Sequence, residues 1–173
     1  MNIVVTGGLG FIGSAFVRYA SNHGAHCTVI DSMTYAADKS RLDGYNYDLV
    51  IKDICEDVSW ACKDAHYIVN FAAESHVDNS IKDGKPFLKS NVEGTFNMLE
   101  IARQIPTLKR FVQISTDEVY GDITYQKESS EYDRLQPSSY YSATKAAAEM
   151  LVIAAGRTYN LPHIMTRTCN NFG

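Results

Sequence analysis

The chain has 173 residues, of which 45% are apolar and 21% charged, and its formal net charge is −4. That length fits one domain over residues 1–173 and buries about two-thirds of the surface the unfolded form exposes, while eleven Tyr and seven Phe exclude a disordered or low-complexity protein. The acidic balance, without any Lys/Arg run, argues against nucleic-acid or anionic-membrane partners, and no apolar run approaches the ~20 residues of a membrane span.

The chain opens on Asn2-Ile-Val-Val-Thr6, which reads as a buried strand over Ile3–Thr6 and not as a signal peptide, so a cytoplasmic location is expected. A helix is predicted over Phe11–Ala20, then strands over Thr28–Asp31, Leu49–Lys52 and Tyr67–Phe71. Val92–Arg103 has helical spacing, Phe111–Ser115 reads as a strand, Ser142–Tyr159 as the clearest helix, and Ile164–Arg167 as a last strand. Strands alternating with helices predict βαβ units and hence an α/β fold, a Rossmann-like doubly wound parallel sheet with helices on both faces. In such sheets ligands bind beyond the carboxyl ends of the strands, which directs attention to the residues following each run. The four cysteines (Cys27, Cys55, Cys62, Cys169) have no C-x-x-C spacing. They read as thiols of a reduced interior, with a metal site or disulfides as the alternative.

Gly7, Gly10 and Gly13 form G-x-x-G-x-x-G between the first strand and the first helix. Gly7 permits the tight turn, Gly10 lets backbone approach a phosphate, and Gly13 lets the helix pack on the strand, while the helix N-terminus offers free N–H groups to a diphosphate. Asp31 ends the second strand, where an acid takes the ribose hydroxyls of a dinucleotide; no Arg follows it to hold a 2′-phosphate, so NAD is favoured over NADP. Asp53 and Ile54, after the third strand, are candidates to flank the adenine.

Tyr141-Ser-Ala-Thr-Lys145 places a phenol and an ammonium one helical turn apart. Bringing a Tyr from pKa ~10 to ~7 needs about 4 kcal/mol, much of which a neighbouring cation supplies, and the product is a base for a hydroxyl proton. Tyr35-Ala-Ala-Asp-Lys39 has the same spacing but falls in a loop and reads as an accident. Ser115-Thr-Asp-Glu118 follows the fifth strand, and its two carboxylates in one enclosed site would divide into an acid and a base. Helix capping by Thr116 or Asp117, with Glu118 in the first turn, is the alternative.

Together these blocks resemble the extended short-chain dehydrogenase/reductase family, and within it the dTDP-glucose 4,6-dehydratases. The resemblance runs through Thr6-Gly-Gly-Leu-Gly-Phe-Ile-Gly-Ser14, Asp31-Ser-Met-Thr-Tyr-Ala36, Phe71-Ala-Ala-Glu-Ser-His-Val-Asp78, Ser115-Thr-Asp-Glu-Val-Tyr-Gly-Asp122, Tyr141–Lys145 and Cys169-Asn-Asn-Phe-Gly173. It implies that Tyr141, with Lys145, removes a sugar 4-hydroxyl proton, that Thr116 binds the 4-oxygen, that Glu118 takes the C5 proton and that Asp117 protonates the departing C6 hydroxyl. By the same resemblance Phe11, Ile12, Asp31, Ser32, Met33, Thr34, Asp53, Ile54, Phe71, Ala72, Ala73, Ser90 and Asn171 line the NAD site, and Ser75 and Asn170 contact a nucleotide-sugar substrate. Asn79 stands where the family usually has Arg and Tyr140 where it often has Pro. The family continues into a C-terminal substrate domain that is absent after Gly173, so the chain alone is expected to be inactive, and homodimerisation through the 142–159 helix is implied. A non-catalytic NAD-binding module and a sugar-nucleotide 4-epimerase or decarboxylase are the alternatives, and the Asp117-Glu118 pair speaks against the latter two.

Overall fold

The structure, a computed structural model, describes residues 1–122 and 128–172. Its sheet holds β1 (Asn2–Thr6), β2 (His26–Asp31), β3 (Tyr47–Ile51), β4 (Tyr67–Asn70), β5 (Arg110–Thr116) and β6 (His163–Thr168). All pairings are parallel and the order is β3-β2-β1-β4-β5-β6. The chain winds outward from β1 to β3, returns to β4 beside β1, and winds outward the other way. This leaves a topological switch point between β1 and β4, where doubly wound sheets bind ligands.

The helices are α1 (Phe11–Asn22), α2 (Ser59–Cys62), α3 (Val77–Lys82), α4 (Lys85–Phe87), α5 (Thr95–Ala102) and α6 (Tyr140–Tyr159). Successive strand residues point to opposite faces, so continuously apolar strands feed two cores. Val4, Ile30, Ile68 and Phe111 meet Met98 and Leu99 of α5 and Val152 and Ala155 of α6 on one face. Ile3, Val5, Val29 and Val69 meet Val17 and Ala20 of α1 on the other, together with Leu42 from a 3-10 turn over Lys39–Leu42. Among the described residues no helix is long and apolar enough to cross a membrane. Cys27 and Cys62 are buried thiols, Cys55 is half-buried and Cys169 exposed.

Every predicted strand is present, with ends shifted by a residue or two. The helix predicted over Val92–Arg103 is the end of a longer helical path. α4 passes through a π-helical stretch, Leu88–Gly94, into α5. Pro86 and Gly94 hide that path in the sequence, since both residues read as helix breakers. α2 and α3 are too short to show periodicity. α6 begins at Tyr140 and not at Ser142 because Ser139 is its cap. The Ser139 hydroxyl accepts from the Ser142 N–H at 3.1 Å, and the Ser142 hydroxyl accepts from the Ser139 N–H at 3.0 Å. This reciprocal cap fixes the first turn, on which Tyr141 sits. Ser139→Ala should cost about 1 kcal/mol in urea denaturation.

A polar rung crosses the sheet centre. Thr6, Asn70 and Gln113 are adjacent in register on β1, β4 and β5, and all three are buried. The Thr6 hydroxyl donates to Asn70 Oδ1, and Asn70 Nδ2 donates to Gln113 Oε1 at 2.9 Å and to Thr95 Oγ1 at 3.3 Å. The same Thr6 hydroxyl accepts from the Ala72 N–H at 3.3 Å, so the rung also holds the loop leaving β4.

Candidate active site

The carboxyl edge of β1, β2 and β4 forms a first cavity. Its wall includes the predicted residues Gly7, Asp31, Ser32, Thr34, Asp53, Ile54, Phe71, Ala72, Ala73 and Ser90. Gly7 has φ +65°, and a Cβ there would lie 2.7 Å from the Ala72 nitrogen, so the β1 and β4 loops touch at a point where only glycine fits. Asp31 is 7% exposed, and its carboxylate is anchored from two sides. Oδ2 accepts from the Leu9 N–H at 3.0 Å and Oδ1 from the Met33 N–H at 2.9 Å. The acid therefore ties the glycine loop to the β2 loop, and its remaining lone pairs stay available to hydroxyl donors. Met33 itself is exposed and adopts a left-handed conformation, φ 58°. Asp53 pairs with Lys89 at 2.8 Å and accepts from the Cys55 N–H at 2.9 Å.

A second cavity, of about 560 Å³, extends from the glycine loop to the end of β6. It gathers Gly7, Phe11, Ile12, Gly13, Phe71, Ala73, Ser75, Thr116, Tyr141, Lys145, Asn170 and Asn171. At its α1 end the N-cap, Gly10, contributes no side-chain cap, and the first turn carries no acid. The first N–H groups of α1 thus lack side-chain partners, a cradle that fits a diphosphate. Of the predicted site residues, Gly10, Met33, Asp117 and Glu118 border neither cavity.

Asp117 and Glu118 lie in a 3-10 turn, Asp117–Tyr120, capped by Thr116, whose hydroxyl accepts from the Glu118 N–H at 3.2 Å. The capping geometry left open by the sequence is therefore present. The two carboxylates therefore follow the cavity residue Thr116 without lining the cavity themselves, and Glu118 is exposed, so they do not share the enclosed site expected for them. Burial pushes the Tyr141 phenol above its ordinary pKa; a hydrogen bond with Thr116 opposes this, and Glu118 and Asp117 push it further up. The lowering expected from Lys145 is not among these effects. Lys145 is 4% exposed and its Nζ donates to the Ile114 carbonyl at 2.6 Å, so its charge is directed at β5. Burial pulls the Lys145 ammonium down to about 8, and the charge of Glu149 opposes that. Asp117 also borders a third cavity with Tyr120, Arg167 and Cys169, and Cys169 is shared with the second.

Several structural partners of the site were not anticipated. Asn91, in the π-helical stretch, accepts from the Glu74 N–H at 2.9 Å and donates to the Glu74 carbonyl and the Thr144 hydroxyl, both at 3.0 Å. It ties the β4 loop to α6 one residue before Lys145. Glu149, fully buried on α6, receives Arg167 from β6 through Nε at 3.0 and 3.1 Å and Nη2 at 2.6 Å. Arg167 Nη1 also donates to the Tyr120 hydroxyl at 2.8 Å, and the guanidinium stacks 4.9 Å from the Tyr120 ring. The helix of Tyr141 and Lys145 is thus bound through one ion pair to the turn of Asp117 and Glu118. In the sequence, Glu149 is only the next turn of an amphipathic helix and Arg167 one charge within a strand.

A parallel sheet of this order, with a glycine turn opening α1 and an acid closing β2, defines the chain as a doubly wound nucleotide-binding α/β protein. Residues 3–173 match the model of the NAD dependent epimerase/dehydratase family, and the chain belongs to that family. It is similar to the low-salt glycan biosynthesis protein Agl12 of Haloferax volcanii, with 48% identity over 180 aligned residues covering 100% of the chain and 57% of that protein. The dTDP-glucose 4,6-dehydratase of Haemophilus influenzae is 42% identical over 191 aligned residues, covering 100% of the chain and 56% of the relative. Among solved structures, a dTDP-glucose 4,6-dehydratase of Streptomyces venezuelae with NAD bound superposes with a TM-score of 0.93 at 38% identity, covering 100% of the chain and 57% of that structure. A UDP-glucuronic acid 4-epimerase of Bacillus cereus in complex with NAD gives 0.90 at 27% identity, again covering 100% of the chain and 57% of the other. The chain therefore spans little more than half the length of these relatives.

Proposed function

We propose that the chain is the NAD-binding, catalytic-residue-bearing unit of a nucleotide-sugar 4,6-dehydratase that converts dTDP-glucose to its 4-keto-6-deoxy product. The observation that carries this reading is that one cavity joins the glycine loop and the start of α1 to Thr116, Tyr141 and Lys145, with Asp117 and Glu118 in the turn that Thr116 caps. NAD, when bound, supplies a hydride acceptor for C4 and a hydride donor for C6. Tyr141, with Lys145, would take the 4-hydroxyl proton. Thr116 holds the 4-oxygen. Glu118, the more exposed carboxylate, removes the C5 proton that a 4-ketone acidifies, and Asp117 delivers a proton to the departing C6 hydroxyl. A 4-epimerase needs neither of these last two steps, and this favours dehydration over the epimerase reading. Ala143, Met150 and Ala154 face outward on α6, which supports the proposal of a second copy along that helix.

Calorimetric titration of the chain with NAD+, followed by dTDP-glucose and a product assay, tests the reading. NAD+ binding is the expected result for the chain, and binding of both with formation of the 4-keto-6-deoxy sugar would show a complete site within it. NAD+ binding alone would restrict the chain to a cofactor module, and binding of neither would overturn the proposal.

A further inference from the structure

The wall of the second cavity contains a cation that the reading above does not use. Arg41 lies in the 3-10 turn Lys39–Leu42, whose Leu42 is locked in the α1-side core at 1% exposure. Its Nη1 donates to the Leu9 carbonyl and to the Ala36 carbonyl, each at 2.9 Å, and its own carbonyl accepts from Arg18 Nη1 at 3.1 Å. Leu9 belongs to the glycine loop and Ala36 to the loop after β2, so the guanidinium is clamped between the two segments that frame the α1 N-terminus. Asp38 stands 4.0 Å from Nε, too far to neutralise it by a direct hydrogen bond. Nη2 has no partner among the described residues. The side chain remains 33% exposed, and it lines the cavity beside Phe11, Ile12 and Tyr35.

The charge of that cavity makes the placement informative. Its wall carries Arg41 at the α1 end and Lys145 at the Tyr141 end, and among the described residues no Asp or Glu. A planar guanidinium held by two carbonyls retains outward donors in a fixed geometry, which suits a phosphate oxygen better than a mobile lysine does. We infer that Arg41 is a diphosphate-binding residue of the dinucleotide, its Nη2 meeting the same phosphates that the α1 N–H groups cap. This inference rests on the proposed cofactor site. It would give the site a fixed positive charge on the β2 loop in addition to the helix terminus.

The test compares wild type, Arg41→Gln and Arg41→Lys, by calorimetry with NAD+, ADP-ribose and dTDP and by NMR titration with adenosine. Arg41→Gln should weaken NAD+ and ADP-ribose by about tenfold or more, as loss of a charge-assisted hydrogen bond predicts, and leave adenosine and dTDP unchanged. Arg41→Lys should lose less than Arg41→Gln, and the difference should shrink as salt is raised. A parallel loss of adenosine affinity would mean that Arg41 only braces the Leu9 and Ala36 carbonyls, and would overturn the inference. So would unchanged ADP-ribose affinity, or a loss confined to dTDP, which would assign the residue to a substrate diphosphate. A wild-type chain that binds neither NAD+ nor ADP-ribose would overturn the cofactor reading itself, a result distinct from failure at Arg41. If Arg41→Gln fails to fold, the Arg41→Lys comparison decides: an affinity for ADP-ribose that falls together with that for adenosine overturns the inference.

Discussion

Arg167→Ala is expected to destabilise the fold by about 3–5 kcal/mol, the cost of leaving a buried carboxylate without its partner. Glu149 has 0% side-chain exposure and receives three hydrogen bonds from the guanidinium, so water cannot replace what is removed. The same substitution takes away the donor to Tyr120 and the stacking on its ring, which frees the turn of Asp117 and Glu118. The paired replacement Glu149→Met with Arg167→Met should recover most of the stability, because two apolar side chains remove both charges together. It should not restore the turn, since Tyr120 would still lack its donor. Urea denaturation of the two variants separates these effects. A loss below about 1 kcal/mol for Arg167→Ala would show that the pair behaves as a solvent-exposed one.

Gly13→Ala is expected to loosen NAD+ by about five- to a hundred-and-fiftyfold, as a strain of about 1–3 kcal/mol at the phosphate loop predicts. A Cβ at this position would stand 2.3 Å from the Gly7 carbonyl oxygen and 3.0 Å from the Gly8 Cα. Both neighbours are backbone, so no side chain can swing aside, and either α1 or the glycine loop has to move. The Gly7 N–H is bonded to the Ile30 carbonyl at 2.8 Å and the Gly10 N–H to the Gly7 carbonyl at 3.1 Å. Displacement therefore spreads to β2 and to the N-cap of α1. Calorimetry with NAD+, alongside a thermal melt, checks this prediction; wild-type affinity would show that the loop yields without cost.

The strands were legible because a parallel sheet buried on both faces demands β-branched runs, and Ile3-Val-Val5 and Tyr67-Ile-Val69 are such runs. The glycine spacing and Asp31 were legible for a similar reason, since each serves a local turn. What stayed hidden depends on groups distant in sequence. Glu149 and Arg167 are 18 residues apart, Arg167 and Tyr120 are 47 apart, and Arg41 and Leu9 are 32 apart; no local pattern marks any of these pairs. Helical spacing places Lys145 one turn from Tyr141, but spacing cannot show that its Nζ bonds to the Ile114 carbonyl. The role of Gly94 was unreadable because it is tertiary: it lies so close to Ile54 that a Cβ would stand 2.6 Å from the Ile54 Cδ1.

The chain of amides and hydroxyls through Thr6, Asn70 and Gln113 has a consequence for how the molecule assembles. Apolar strands such as β1 and β4 resemble one another, and hydrophobic burial alone discriminates weakly between correct pairing and a pairing displaced by two residues, which keeps every side chain on its proper face. In a displaced β1–β4 pairing the Thr6 hydroxyl and Asn70 Oδ1 would lose each other, at a cost of about 1–3 kcal/mol per orphaned group. Polarity at the centre of the sheet thus acts as a proofreading step in folding. It penalises wrong alignments more than it rewards the right one, and it does so at the strands that frame the cofactor crevice.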